Sequence, residues 1–149
     1  GSRPISADTG LNAIRDLIRD GALPPPAATA GKVTRVDVRR KYINHLLSYV
    51  DRTKLRKLKV VCNAGNGGAG LVVDLLEPHL PFEFVKLHHT PDSSFPNGVP
   101  NPMLIENRKS TAELVRRSGA DVGLAWDGDF DRCFFFDERG EFIEGYYIV

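Results

Sequence analysis

The amino-acid sequence predicts an α/β fold: a three-layer α/β/α domain on a mostly parallel, four-stranded mixed sheet, preceded by N-terminal helices. Two observations predict it. From residue 58 onward, short apolar runs alternate with segments of helical periodicity. The last two runs are joined too closely for a crossover, so the final strand is expected to be antiparallel.

Taken in order, residues 8–20 read as a helix, because Leu11, Ile14, Leu17 and Ile18 recur at helical spacing and Gly21 can end it. Residues 22–35 read as a linker, since Pro24, Pro25 and Pro26 exclude a helix interior. The expected division is therefore a helix of a preceding domain in 1–21, a linker in 22–35, and the main domain in 36–149. Residues 36–50 show a second helical pattern through Tyr42, Ile43, Leu46, Leu47 and Val50. The stretch from Arg35 to Lys59 carries nine basic and two acidic residues, and a solvated helix face is the plain account of it.

A strand is expected at 58–63, then a Gly-rich turn and a helix at about 67–77. A second strand follows at 82–87, then a Pro/Asn/Gly-rich loop at 88–102 and a helix ending near Ser118. Ser110-x-x-Glu113 resembles a capping box, although it can equally lie inside that helix. The third strand is expected at 121–126, with Val122, Leu124 and Trp126 on one side, and the fourth at 132–136. A turn at Arg139-Gly140 leads to a short segment at 141–143. Gly145–Val149 reads as the opening of an apolar helix, and both ends look like those of a piece of a longer protein.

Composition is ordinary for a globular domain of 149 residues, at 42% hydrophobic and 26% charged. A net charge of +1 gives no global reason to expect nucleic acid or an anionic membrane as partner. No apolar run approaches the roughly 20 residues needed to span a bilayer. Cys62 and Cys133 both fall in apolar strand-like runs, which suggests buried free thiols and a cytoplasmic setting.

The chemistry concentrates in Asp127-Gly128-Asp129-Phe130-Asp131-Arg132, just past the third strand. In an open α/β sheet, ligands gather at the carboxyl ends of the strands. Three carboxylates in five residues repel one another, and a hard divalent cation relieves that repulsion. Three oxygens leave coordination positions on Mg²⁺ for phosphate and water, and Arg132 adds a planar fork suited to phosphate. A solvated acidic turn is the plainer alternative. A calcium-binding EF-hand loop fits poorly, because Arg132 stands where that loop needs glycine and strands flank it. A haloacid-dehalogenase-type phosphatase would use Asp127 as nucleophile, but its loop follows the first strand of the sheet. A non-enzymatic, metal-stabilised module is a third possibility.

The run WDGDFDRCFFFDERGEFIEGYYIV resembles the metal loop of the α-D-phosphohexomutases, specifically the bacterial phosphomannomutase branch that feeds GDP-mannose and surface polysaccharide synthesis. The resemblance extends to Asn63-Ala-Gly-Asn-Gly-Gly-Ala-Gly70, to Phe95-Pro-Asn-Gly-Val-Pro-Asn-Pro102 and to Arg3-Pro-Ile-Ser-Ala-Asp-Thr-Gly-Leu11. It implies the second domain of a four-domain enzyme, with residues 3–20 as the last helix of the first. It implies Mg²⁺ held by Asp127, Asp129 and Asp131 together with a phosphoserine from the first domain, and Arg132 in contact with the phosphoryl group. It also implies hexose phosphates, of mannose or glucose, as substrates, and the enzyme's remaining domains as partners. The family's Ser-His-Asn phosphoserine loop does not occur here, and Ser93-Ser94-Phe95 does not match it. The isolated chain is therefore expected to be inactive.

Other features have plainer accounts. Gly65-Asn-Gly67-Gly-Ala-Gly70 matches G-x-G-x-x-G, but the next strand ends in Lys86-Leu87-His88-His89, without the acidic residue a dinucleotide site needs. A tight turn with close helix packing is expected instead. Adjacent His88 and His89 should point apart and not share a metal. Phe95–Pro102 is expected as a rigid loop at the ligand edge of the sheet, and Trp126 and Tyr146 as core.

Overall fold

A computed structural model describes residues 2–148. They divide into two compact units at Val36/Asp37. In the first, a π-helical turn at Ala7–Leu11 runs into helix α1 (Asn12–Arg19). Leu11, Ile14, Leu17 and Ile18 form its apolar row, and all four are exposed.

The second unit opens with helix α2 (Arg39–Leu47), which is shorter than the 36–50 pattern. The Asp37 carboxylate accepts the Arg39 backbone N–H at 3.0 Å and pairs with its guanidinium. Of the apolar residues of that pattern, only Ile43 is buried. The sheet comprises β1 (Lys59–Asn63), β2 (Glu83–Leu87), β3 (Val122–Trp126), β4 (Cys133–Phe136) and β5 (Phe142–Ile143), in the order β2-β1-β3-β4-β5. β1 pairs in parallel with β2 and β3, whereas β4 and β5 pair antiparallel. The sheet thus has five strands, not the expected four. Segment 141–143 joins as an edge strand of two residues, too short for an alternating pattern to show.

β1 is an inner strand with parallel neighbours on both sides, and Val60 through Asn63 are all buried, as a parallel strand covered on both faces requires. Helix α3 (Ala69–Leu76) and helix α4 (Lys109–Ser118) cover opposite faces. Val61, Ala125 and Phe136 pack with Leu114 and Val115 of α4. Val60 and Cys62 pack with Val73 of α3, alongside Val122, Leu124 and Trp126. The alternation read for the third strand therefore holds. α4 ends at Ser118 because Gly119 takes a left-handed φ of 62°, a common helix stop. Ser110 and Glu113 lie inside α4, whose N-cap is Arg108, so they form no capping box.

Three expectations are corrected. Cys133 is exposed, because it opens β4 at the sheet's ligand edge and not within its middle. Tyr146 is 71% exposed, in a 3₁₀ turn at Gly145–Tyr147. Trp126 is only half-buried. Val149, the last residue of the apolar stretch at the C-terminus, lies outside the described residues. Among the described residues, no helix is long and apolar enough to cross a membrane.

The connections set the site. The chain leaves β1 toward β2 on one side and leaves β3 toward β4 on the other. Connections from these adjacent strands diverge, which opens a crevice at their carboxyl ends. The Gly-rich turn after β1 and the acidic loop after β3 meet there.

Candidate metal centre

The acidic loop is the six-residue connection 127–132 between β3 and β4, closed by Asp127. The Asp127 N–H donates to the Arg132 carbonyl at 3.4 Å, and the Phe130 N–H donates to the Asp127 carbonyl at 3.1 Å. The Arg132 N–H donates to Asp127 Oδ1 at 3.2 Å. This closure turns the chain back into β4 and folds the three carboxylates toward one point. Asp127, Asp129 and Asp131 each offer an oxygen, and these oxygens lie within 4.8 Å of one another. Asp127 is 1% exposed, whereas Asp129 and Asp131 are open to solvent.

Asp127 Oδ2 is buried and accepts no aligned hydrogen bond. Arg132 Nη2 stands 2.5 Å from it, so the contact is an ion pair without a well-directed N–H. A buried carboxylate oxygen lacking a donor is costly unless charge compensates it. Arg132 supplies part of that compensation, and the same carboxylate holds its guanidinium above its ordinary range. Arg132 also reaches Asp131 Oδ1 at 3.4 Å and the Met103 sulfur at 3.7 Å, while half its side chain remains exposed. A convergent set of three carboxylate oxygens, on residues of which Asp127 is buried, fits a hard divalent cation.

The supporting layer was not legible in the residue types. Gly68 N–H donates to the Gly128 carbonyl at 3.3 Å, so the turn after β1 touches the acidic loop directly. Asn66 sits in the left-handed region at φ 60°. Its N–H donates to His88 O at 2.7 Å, and its carbonyl accepts from Asp92 N–H at 2.8 Å. Its side-chain amide donates to Thr90 O at 2.9 Å and accepts from Asn97 at 2.8 Å. Every hydrogen-bonding group of Asn66 thus holds the 88–97 segment. The loop of Phe95–Pro102 lies over the same edge: a Cβ on Gly65 would fall 2.3 Å from Pro100, and one on Gly128 would fall 3.2 Å from the Phe95 ring. Asn63, buried at the end of β1, donates to Thr111 of α4 at 2.8 Å and accepts from Gly65 N–H at 3.0 Å. G-x-G-x-x-G here is a tight turn, as expected, and Gly70 lets α3 approach the His89 carbonyl.

Beside the loop lies a cleft of about 400 Å³ lined by Asn63, Gly65, His88, Pro100, Ser110 and Trp126. None of the three aspartates lines it. His88 faces this cleft, while His89 Nε2 lies 2.8 Å from Asp74 Oδ1, so the two imidazoles do diverge.

Residues 40–140 match the family described as phosphoglucomutase/phosphomannomutase, alpha/beta/alpha domain II. The chain belongs to this family. A curated relative from Xanthomonas campestris, named "Phosphohexose mutases", is 62% identical over 99% of the chain and 33% of its own length. A "Phosphomannomutase" of Salmonella typhimurium is 53% identical over 100% of the chain and 34% of its own length. A crystal structure of a phosphoglucomutase/phosphomannomutase family protein from Burkholderia thailandensis superposes with a TM-score of 0.73 at 30% identity, covering 93% of the chain and 29% of that protein. The phosphohexomutase domain therefore spans about a third of the curated relatives it matches.

Proposed function

We propose that this chain is the metal-carrying second domain of a phosphohexose mutase that interconverts mannose 6-phosphate and mannose 1-phosphate, and that accepts glucose phosphates as further substrates. The observation that supports it best is the convergence of Asp127, Asp129 and Asp131 with Arg132 at the crevice between β1 and β3. Under this reading the three aspartates hold Mg²⁺, and a phosphoserine of the preceding domain completes the site. Residues 3–20 belong to that preceding domain, 22–35 link the two, and the exposed apolar row of α1 suits a helix that packs on a domain outside this chain. The whole enzyme is expected in the cytoplasm.

In the reaction, the serine phosphate passes to the free hydroxyl of the hexose monophosphate, giving a hexose 1,6-bisphosphate and a free serine. The other phosphoryl group of the bisphosphate then returns to the serine, which releases the isomeric monophosphate. Bound Mg²⁺ would supply charge withdrawal from the phosphoryl oxygens and the departing serine oxygen. Asp127 would hold the ion through a buried carboxylate, and Asp129 and Asp131 would hold it through carboxylates open to solvent. Arg132 stands at the loop's exit with half its side chain free, placed to steady phosphoryl oxygens by bidentate hydrogen bonds.

The haloacid-dehalogenase alternative has no comparable support, because the family that residues 40–140 match is described as phosphoglucomutase/phosphomannomutase. The test is turnover of mannose 1-phosphate by the whole enzyme in Mg²⁺. Asp129→Asn is expected to lower kcat/KM by about a hundredfold, as loss of a metal-binding carboxylate should. Full activity in that variant would sink the assignment, as would Mg²⁺-independent turnover. The 149-residue chain alone is expected to give no turnover.

A further inference from the structure

Phe130 stands at φ 48°, a left-handed conformation that a bulky residue keeps only when its surroundings hold it there. It lies between Asp129 and Asp131, so its backbone angles aim both carboxylates. Its ring rests against Gly68: a Cβ on that glycine would fall 2.7 Å from Phe130 Cε1 and 2.8 Å from Cδ1. Gly68 itself has φ −73° and ψ −19°, angles that any residue adopts. Glycine is therefore needed at position 68 for room, not for backbone freedom. The adjacent Gly67 is equally close, since a Cβ there would fall 2.4 Å from the Gly128 carbonyl oxygen.

We propose that the contact between the Phe130 ring and the bare Cα of Gly68 is the positioning device of the metal loop, setting Asp129 and Asp131 in register with the fixed Asp127. Asp127 is held by the hairpin closure and by burial. Asp129 and Asp131 lack that burial, and the ring between them is the part of this stretch wedged against the neighbouring turn. Phe130 and Gly68 are positioning residues and touch no substrate. The G-x-G-x-x-G turn thus serves as the seat of the acidic loop, in place of a nucleotide site. This proposal rests on the metal-loop reading above.

The test is Mn²⁺ binding to this chain, measured by calorimetry and by loss of the free-ion electron paramagnetic resonance signal. Amide resonances of Asp129 and Asp131 are compared in metal-free protein. Gly68→Ala drives a methyl group into the ring and is expected to weaken Mn²⁺ binding about tenfold or more and to move both resonances. The size swap Gly68→Val with Phe130→Gly fills the space from the other side and gives the left-handed position to a residue that adopts it freely, so most of the affinity should return. Melting curves confirm that each variant is folded. If Gly68→Ala does not fold, Phe130→Gly alone vacates the contact without a clash and is expected to show the same weakening. A variant lacking the contact that binds Mn²⁺ as tightly as the parent overturns the proposal, and so does a swap that recovers nothing. If the parent takes up no Mn²⁺, the metal reading fails, and the resonances alone decide the positioning role: unmoved, they overturn it; moved and restored by the swap, they support it.

Discussion

Arg132 Nη2 lies 2.5 Å from the buried Oδ2 of Asp127, an oxygen that no aligned hydrogen bond satisfies. The guanidinium and any cation bound at the loop therefore draw on the same carboxylate. Removing the guanidinium leaves the buried charge without a compensating partner. Arg132→Gln is expected to lower the melting temperature in a chelator, and added Mg²⁺ should raise it by more in the variant than in the parent. Equal Mg²⁺-induced shifts in the two proteins, read by calorimetric scans, would show that Arg132 and the ion do not share Asp127.

Phe136 is fully buried, its ring packed edge-on against Phe142 at a centroid distance of 5.5 Å. Tyr146, ten residues on, is 71% exposed. Phe136→Ala is expected to cost about 3–5 kcal/mol, through lost burial and the cavity left behind. Tyr146→Ala should stay within about 0.5 kcal/mol. Urea denaturation of both variants checks the contrast. A comparable loss at Tyr146 would mean that this ring packs as core after all.

The same pair marks what the sequence could and could not reveal. The order of strands and helices followed from periodicity, because burial on both faces of β1 demands a continuous apolar run and each helix needs one apolar row. The acidic loop was legible because like charges crowded at a strand's carboxyl end need a counter-charge. Tyr146 misled because an aromatic residue is amphipathic, and residue type alone does not decide its burial. β5 is too short to carry a pattern. The seat of the loop was hidden for a different reason: Gly68 and Phe130 meet only through the pairing of β1 with β3, which lie some sixty residues apart in the chain. Glycines that make room look the same in sequence as glycines that make turns.

The hairpin between β4 and β5 carries an acid-sensitive clasp. The Asp137 carboxylate accepts the Glu141 N–H at 2.7 Å and the Arg139 N–H at 3.0 Å, and it pairs with the Arg139 guanidinium at 3.2 Å. These donors, the Glu141 N–H foremost, hold its pKa below the ordinary 3.8. A depressed folded-state pKa stabilises the fold above the unfolded value and loses that contribution as pH falls through the folded one. Asp137→Asn should therefore be less stable than the parent near neutrality, and the gap should close as pH falls below 3.8. Urea midpoints measured across that range decide it, and a gap that does not depend on pH would refute the clasp.

The two cysteines differ in what they offer a thiol reagent. Cys62 is 1% exposed in β1, and burial pushes its thiol up to about 12. Almost none of it is thiolate at neutral pH, and the reagent has no path to it. Cys133 reaches solvent at the start of β4, beside the apolar groove of Met103, Phe135 and Ile143, though its surroundings raise its thiol to about 11. Iodoacetamide is therefore expected to modify one cysteine of the native chain, slowly at pH 7 and faster as pH rises. Peptide mapping should place that label on Cys133, with Cys62 modified only after denaturation. Cys133→Ser should abolish native labelling. Modification of Cys62 in the folded protein would mean that the α3 face of the sheet opens far more readily than its packing of Val60, Cys62 and Val73 implies.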